Sequence, residues 1–291
     1  MNVAIVANPD KYEVKQTVAR TVNWAKHHNV HVFIDREVCT RTEICSHEVV
    51  HQVQSDVEAI AQADIVLVMG GDGTMLYTAR ILGNQEKPIL GINSGRLGFM
   101  ANTQVEELEA ALNHVLTGDY TLDKRVLLTA TDNNGGEFYA LNEFLFTRKD
   151  STRMVNITAK YGDSLINTYW ADGLIVATPT GSTAYNLSSG GPIVPPGTNV
   201  ILVTPINPHT LTTRPLVVSA QHPLTILIEP QETEILFSYD GVQCEIQTLP
   251  FEVHIGQSDR TLNLIHLPGH DYFETLRNKL MWGLDSRRIK N

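Results

Sequence analysis

Cysteine is scarce in this sequence. The 291 residues include three cysteines, Cys39, Cys45 and Cys244, an odd number with no C-x-x-C spacing. A disulfide framework requires paired cysteines and a zinc knuckle requires closely spaced ones, so neither is indicated. Reduced thiols are typical of cytosolic proteins, and we therefore expect a cytoplasmic protein.

Positive charge and long apolar runs are scarce as well. Lysine and arginine number 22 against 32 aspartates and glutamates, which gives a formal net charge of −10. Such a chain repels the phosphates of nucleic acids and anionic membranes, so we expect no nucleic-acid partner and no membrane partner. No apolar stretch reaches membrane-spanning length, and Met1–Ala7 lacks the basic segment that begins a signal peptide.

Residues 1–119 alternate between strand and helix patterns. Apolar runs at Val3–Ala7, Val30–Ile34, Ile65–Met69 and Pro88–Ile92 predict strands, and residues at helical spacing separate them. Alternation of this kind is typical of βαβ units. We therefore expect an α/β domain built around a parallel sheet.

The pattern changes in residues 120–269. Val126–Thr131 and Glu137–Phe146 flank the hairpin signal Asp132–Gly136, and short alternating runs recur as far as Ile265. These runs predict an all-β domain.

The last segment, residues 270–291, is predicted to be helical over Asp271–Leu284. We expect this segment to return to the first domain. The fold class predicted for the whole chain is therefore α+β, with an α/β domain followed by an all-β domain.

A glycine-rich loop follows the predicted strand Ile65–Met69. It is the pentapeptide Gly70-Gly-Asp-Gly-Thr74, and a helical pattern begins after it. Ligands of open α/β sheets bind at the carboxyl ends of strands, and glycines let backbone amides approach phosphate oxygens closely. The loop predicts a phosphorylated substrate with Asp72 as acid or base; the alternative is that Asp72 is only a helix N-cap. The spacing matches neither a Walker A loop, which needs a lysine, nor G-x-G-x-x-G.

A second glycine-rich loop, Gly91–Phe99, follows the predicted strand Pro88–Ile92. Because parallel strands end at the same edge of a sheet, we expect the two loops to face one cleft. The alternative is a plain turn whose glycines only permit close packing.

One segment resembles a metal site. His47-Glu-Val-Val-His51 fits H-E-x-x-H, the pattern of zinc metalloproteases. Such a site needs a third ligand, and the neighbouring sequence offers no convincing one. An amphipathic helix that turns Val49, Val50 and Val53 inward explains the segment without a metal, so we predict no metal-ligating residues.

Two polar segments interrupt the β-rich region. Asn142-Glu143 stands within an otherwise apolar run, and such a donor–acceptor pair suits a ribose diol; the alternative is an exposed strand face. In the longer segment, Trp170–Ile193, a strand ends at Thr178-Pro-Thr-Gly181. Ser182–Ser188 then predicts the start of a helix whose free N–H groups and hydroxyls bind a polar ligand.

Taken together, these motifs resemble those of bacterial NAD kinases. The segments that carry the resemblance, in this order along the chain, are Gly70–Thr74, Gly91–Phe99, Asn142-Glu143, Asp172-Gly173, Thr178–Ile193 and Pro208–Leu216. Diacylglycerol-type lipid kinases share the first motif but not the later ones. The resemblance implies a Rossmann-like N-terminal domain, a β-sandwich C-terminal domain and a homo-oligomer, either dimer or tetramer.

The resemblance also implies roles for individual residues. Asp72 would be the catalytic base, and Gly70, Gly71 and Thr74 would belong to the phosphate loop. The residues that would contact the nucleotide are Gly73, Asn142, Glu143, Arg153, Asp172, Thr183, Ala184, Tyr185, Asn186, Leu187, Ser188 and Gln243.

The function that this resemblance implies is phosphorylation of the adenosine 2′-hydroxyl of NAD by ATP, which gives NADP and ADP. In the absence of a Walker lysine, loop amides and a divalent cation, with Mg²⁺ the expected ion, would neutralise the transferring phosphoryl group. A lipid kinase and a non-catalytic dinucleotide sensor are the alternative functions. Polyphosphate in place of ATP and NADH in place of NAD are further alternatives.

Overall fold

The structure, a computed structural model, describes residues 1–10, 12–93, 95, 98–149, 153–246 and 249–282. The chain forms two compact units. Unit 1 consists of Met1–Lys124 together with the chain from Leu262 onward, and unit 2 consists of Arg125–Thr261. Unit 2 is therefore inserted in the sequence between two parts of unit 1.

The elements follow one another in chain order. Those of the first part of unit 1 are β1 Asn2–Ala7, α1 Tyr12–His27, β2 His31–Asp35, α2 Arg36–Thr42, β3 Val50–Val53, α3 Asp56–Gln62, β4 Ile65–Gly70, α4 Asp72–Leu82, β5 Pro88–Asn93, β6 Thr103–Gln104 and α5 Leu108–Thr117. The remaining elements are β7 Thr121–Asp132, β8 Glu137–Ala140, β9 Glu143–Arg148, β10 Val155–Tyr161, β11 Ser164–Ala171, β12 Gly173–Ala177, α6 Tyr185–Ser188, β13 Val200–Ile206, β14 Leu216–Ser219, β15 Leu224–Ile228, β16 Ile235–Tyr239, β17 Val242–Glu245, β18 Phe251–His266 and α7 Tyr272–Leu280.

Unit 1 contains a parallel sheet in the order β5-β4-β1-β2-β3. The end of β18 extends this sheet, because Asn263 and Leu264 pair in parallel with β5. Strand β4 is buried along its whole length, as its continuous apolar run predicts. The α/β architecture predicted for this part of the chain is confirmed.

Helix α1 shows why these sequences form amphipathic helices. Val14, Val18, Val22 and Ala25 recur along one face, and all four are fully buried in the core of unit 1. Burial of one apolar stripe is what fixes a helix of this length against a sheet.

The helix predicted over the H-E-x-x-H segment is wrong. Val50–Val53 forms β3, which pairs in parallel with β2 and places Val50 beside Val32. Neighbouring β-branched valines favour extended backbone when a strand is available for pairing, so packing overrides the helical spacing. His47 and His51 therefore do not share a helix face. Within the described part of the chain, no group of three or more His, Cys, Asp or Glu side chains could hold a metal ion.

Unit 2 consists largely of antiparallel strands in two sheets. One sheet has the order β14-β13-β12-β9-β16-β17, and the other contains β11, β10, β15 and the first part of β18. Apolar side chains of both sheets form one core, in which Phe144, Phe146 and Phe237 are the largest fully buried groups. The β-rich second region is therefore confirmed.

The strand predicted over Glu137–Phe146 is in fact two strands. β8 pairs with β7 as the second arm of a hairpin, whereas β9 lies between β12 and β16 in the other sheet. The chain thus changes sheets at Leu141 and Asn142. Apolar residues stand on both sides of Asn142-Glu143, so the sequence pattern was interpreted as one strand and did not reveal the break.

The C-terminal helix α7 covers Tyr272–Leu280, inside the predicted Asp271–Leu284. Residues 283 and 284 of that prediction lie outside the described residues. No helix that the structure describes has the length and apolar character needed to cross a membrane.

Candidate active site

A cavity of about 670 Å³ lies in unit 1 at the carboxyl ends of the parallel strands. Asn8 lines it just after β1, Asp35 at the end of β2, and Gly71 and Gly73 just after β4. This is the edge of an open α/β sheet where ligands bind. The predicted phosphate loop, which also contains Gly70 and Thr74, therefore borders a cavity large enough for a nucleotide.

Asp72 joins the two glycine-rich loops. Its Oδ2 accepts the backbone N–H of Phe99 at 3.0 Å, and its Oδ1 accepts those of Met100 at 3.1 Å and Ala101 at 3.4 Å. The N-cap of α4 is Gly71, and Asp72 is the first residue of the helix. The interpretation of Asp72 as only a helix N-cap is therefore wrong.

The glycines of the second loop permit this contact. A Cβ atom on Gly98 would overlap Oδ1 of Asp72, and one on Gly91 would come within 2.8 Å of the Cα of Ala101. A Cβ on Gly71 or Gly73, by contrast, would have no described heavy atom within 4 Å. The backbone of the first loop is thus open to a ligand, while the second loop packs against Asp72. Residues 94, 96 and 97 of the second loop lie outside the described part of the chain.

The lining of this cavity is acidic. Burial raises the pKa of Asp56 to about 6, against the opposing effect of a hydrogen bond from Tyr77; the negative charge of Asp35 raises it further. Asp10 and Glu37 also line the cavity, and both are paired with Arg41, a cation of the same lining. A polyanionic ligand would enter this cavity more easily with accompanying cations.

In unit 2, Asn142 and Glu143 are not an exposed strand face, so that alternative is wrong. Asn142 is buried, and Glu143 is largely buried. Burial, together with the negative charge of Asp240, raises the pKa of Glu143 to about 8. Its Oε2 is buried without a hydrogen-bond partner among the described atoms. Such a group is suited to a ligand that supplies the missing partner.

Asp240 was not predicted from the sequence. It lies in the tight turn between β16 and β17, and its carboxylate accepts the backbone N–H groups of Leu141, Asn142 and Glu143. Asp240-Gly241 between two apolar runs indicates a hairpin. Nothing in that signal indicates a contact with residues almost a hundred positions earlier.

The hydroxyl-rich segment that begins at Thr178 is held against the backbone of Leu141 and Asn142. The Thr178 hydroxyl donates to the Leu141 carbonyl at 2.6 Å, and the Thr178 N–H donates to the Asn142 carbonyl at 2.8 Å. A Cβ on Gly181 would overlap the backbone of Asn142. The structure therefore brings together the two polar segments that the sequence separates by some thirty residues.

The helix predicted from Ser182 is short. A 3₁₀ turn covers Thr180–Thr183 and α6 covers Tyr185–Ser188. Tyr185 is 42% exposed, Ser188 is exposed, and Thr183, Ala184 and Leu187 are half-buried. These side chains are accessible to a ligand.

Asn186 differs from its neighbours because it is fully buried. Its amide donates to the carbonyls of Ser182 and Pro192, and its oxygen accepts from the Thr204 hydroxyl at 2.6 Å. This side chain uses its hydrogen-bonding groups within the protein. Its place in the structure suits shaping of the loop better than ligand contact.

The remaining predicted residues make contacts elsewhere in unit 2. Asp172, between β11 and β12, forms an ion pair with Arg148 at 3.1 Å and accepts from the Asn207 amide. Arg153 is exposed and paired with Glu232. Gln243 is exposed on β17, the strand that follows Asp240. Their ligand contacts stay predictions.

An α/β unit with an open glycine loop at its ligand edge is typical of proteins that bind nucleotides. Residues 3–120 match the ATP-NAD kinase N-terminal domain, and residues 141–267 match the ATP-NAD kinase C-terminal domain. The chain belongs to the NAD kinase family.

Curated relatives named NAD kinase agree with this assignment. One from Cytophaga hutchinsonii is 40% identical over 231 residues, which is 78% of this chain and 79% of the relative. One from Heliobacterium modesticaldum is 35% identical over 286 residues, which is 97% of this chain and 99% of the relative.

Two solved structures share the fold. Yeast NADH kinase complexed with NADH has a TM-score of 0.89 at 23% identity and covers 98% of this chain and 89% of its own. An NAD kinase from Archaeoglobus fulgidus in complex with ATP has a TM-score of 0.76 at 23% identity. The match covers 97% of this chain and 99% of the Archaeoglobus chain.

Proposed function

We propose that this protein transfers the γ-phosphoryl group of ATP to the 2′-hydroxyl of the adenosine ribose of NAD, which yields NADP and ADP. Membership of the NAD kinase family supports the reaction. The structural observation that carries the proposal is the buried Asn142-Glu143 pair, whose Glu143 Oε2 lacks a partner among the described atoms. A buried polar pair of this kind is costly unless a ligand completes it.

The chemistry of this pair suits a ribose diol. Because the pKa of Glu143 is raised to about 8, its carboxyl group is largely protonated at pH 7. It can then donate through its O–H and accept through its other oxygen, and the amide of Asn142 can also do both. Ribose hydroxyls each donate and accept, so the pair matches them.

Asp72 is the base that we assign to the 2′-hydroxyl. A carboxylate offers about four lone-pair positions, and three are taken by loop N–H groups. Oδ1 carries two of these bonds and Oδ2 only one, so Oδ2 has room for the hydroxyl proton. The loop amides hold the carboxylate still while it accepts that proton, as general-base catalysis requires.

The donor is assigned to the unit 1 cavity, where the open backbone of Gly71 and Gly73 can approach phosphate oxygens. In the described residues no side-chain cluster forms a resident metal site. The carboxylates of the lining would repel free ATP. The substrate is therefore best written as the complex of ATP with a divalent cation, with Mg²⁺ expected.

The alternative functions have less support. A lipid kinase would share the Gly70–Thr74 motif, but both halves of this chain match NAD kinase domains. A dinucleotide sensor would bind NAD without turnover, and an assay separates it from a kinase.

Homo-oligomerisation and a cytoplasmic location complete the proposal. The three cysteines are free, which suits a reducing compartment. Strand β14, at the edge of its sheet, exposes Leu216 and Val217, and an edge of this kind favours burial against a second copy.

The test is turnover. The purified protein is incubated with ATP, Mg²⁺ and NAD, and NADP is detected with an NADP-specific dehydrogenase; NADH serves as a second acceptor. We expect NADP formation that requires both ATP and the metal. Binding of NAD without any NADP would favour the sensor instead.

A further inference from the structure

Asp240 occupies a two-residue turn in unit 2. Asp240 and Gly241 connect β16 to β17, and both have positive φ angles, 45° and 82°. Positive φ at both central positions is typical of a type I′ hairpin turn, for which Asp-Gly is a favoured pair. The turn requirement alone would be met equally well by Asn-Gly.

The Asp240 carboxylate does more than the turn requires. It accepts the N–H of Leu141 at 2.7 Å, of Asn142 at 2.8 Å and of Glu143 at 3.2 Å. In return the Asp240 N–H donates to the Glu143 carbonyl at 3.2 Å. The N–H groups of residues 141–143 lie where the chain passes from one sheet to the other. Buried N–H groups at such a break need another acceptor.

The same peptide is fixed from its carbonyl side by Thr178. Its hydroxyl and N–H donate to the carbonyls of Leu141 and Asn142. With N–H groups held by one segment and carbonyls by another, the Asn142-Glu143 backbone has little freedom to rotate. These backbone contacts therefore fix the directions in which the side chains of Asn142 and Glu143 project.

We propose that Asp240 is a positioning residue, whose carboxylate fixes the Asn142-Glu143 backbone so that both side chains meet the ribose of NAD. The proposal rests on the function assigned above to that pair. Asp240 acts on the pair through the backbone it holds. Its negative charge also raises the pKa of Glu143 and so favours the protonated carboxyl group.

Asp240→Asn is the informative substitution. Asn-Gly keeps the turn, so the variant is expected to fold. An asparagine side chain has one acceptor oxygen, whereas the carboxylate has two. Its NH₂ group would point at a backbone N–H that donates to a carboxylate oxygen in the wild-type protein. The side chains of Asn142 and Glu143 should lose their fixed directions, while the β16–β17 hairpin remains. Asp240→Gly, which also tolerates positive φ, removes the carboxylate without adding a donor and serves as a second variant.

Asp132 provides a matched control. Its carboxylate accepts the N–H groups of Asn134 at 2.9 Å and Gly136 at 2.7 Å in the β7–β8 hairpin of the same unit. Asp132→Asn therefore removes the same kind of bond from a turn with no assigned role in binding. Thermal melting of all variants checks that they are folded.

The readouts are KM for NAD, KM for ATP, and the Kd for NAD from equilibrium binding. We expect Asp240→Asn to raise KM and Kd for NAD roughly tenfold or more, with KM for ATP within about twofold. Asp132→Asn should leave all three unchanged. A purely structural defect would not separate NAD from ATP in this way.

The outcomes decide the proposal. An unchanged Kd for NAD in folded Asp240→Asn or Asp240→Gly would overturn it, as would equal rises in both KM values. If the wild-type protein bound NAD but made no NADP, loss of NAD affinity in the Asp240 variants would still support positioning. The phosphotransfer function would then fail on its own.

Discussion

Glu143 is a carboxyl group whose ionisation the fold opposes. Its pKa is raised from an ordinary value near 4.5 to about 8 by burial and by the charge of Asp240. Between these two values the folded protein holds a proton that the unfolded chain has already released. The free energy of unfolding must therefore fall as the pH rises through this range.

Glu143→Gln should remove this pH dependence. Urea denaturation at pH 6.5 and pH 8.5 measures it, and the wild-type midpoint should fall more over this interval than the midpoint of the variant. The lower limit is pH 6.5 because the pKa of Asp56 is raised to about 6, so that its ionisation changes the free energy of unfolding mainly below this limit. Equal changes in the two proteins would mean that Glu143 ionises normally.

Asn142→Ala tests the side chain alone, because Asp240 and Thr178 hold the main chain of residue 142. Loss of the amide should leave a ribose hydroxyl unpaired and cost about 1–3 kcal/mol, or roughly ten- to a hundredfold in kcat/KM for NAD. KM for ATP is the internal control. A folded variant with unchanged kcat/KM for NAD would refute the ribose contact.

Asp72→Asn tests the base. Asparagine keeps one acceptor oxygen for the loop amides but cannot take a proton, so kcat should fall about 10²–10⁴-fold while NAD binding survives. Thermal melting measures how far the loop contact with Phe99, Met100 and Ala101 is weakened. Retention of more than about a tenth of wild-type kcat would leave Asp72 with only its observed role of tying the two loops.

At the scale of elements, the second glycine loop and α4 depend on each other. Gly98→Ala would place a methyl group on Oδ1 of Asp72 and must displace the carboxylate or the loop. A displacement of about 1 Å is enough to lower kcat by roughly ten- to a hundredfold. Gly256→Ala is the control, since its Cβ would meet Pro223 at an ordinary 3.9 Å. Similar activities of the two variants would show that the loop tolerates the shift.

The elements that the sequence predicted well are those governed by local patterns. The valine stripe of α1 and the apolar run of β4 specify their structures through spacing and hydrophobicity, and the structure contains both. β3 was missed because pairing with β2, a tertiary contact, overrode a helical spacing. For contacts of individual residues too, local features were predictable and tertiary ones were not. The motif around Asp72 was visible, whereas its bonds to Phe99–Ala101 and those of Asp240 join distant segments and leave no local pattern.

At the scale of the whole molecule, the prediction concerns assembly. The exposed edge strand β14 and the family resemblance favour a homodimer or homotetramer. Light scattering at assay concentration should give two or four times the monomer mass. A monomeric mass at assay concentration would contradict the expected oligomer.

Strand β18 is one continuous strand, Phe251–His266, that begins in unit 2 and ends in unit 1. As the nascent chain leaves the ribosome, β5 emerges long before Asn263 and Leu264, the residues that pair with its first part. At about 5–20 residues per second, translation of the intervening chain takes on the order of ten seconds or more. For that time Pro88 and Ile89 have no partner from β18, although β6 can already pair with Ile92 and Asn93. An unpaired part of a strand edge is a site for mispairing. The first unit to begin translation is therefore the last to be completed.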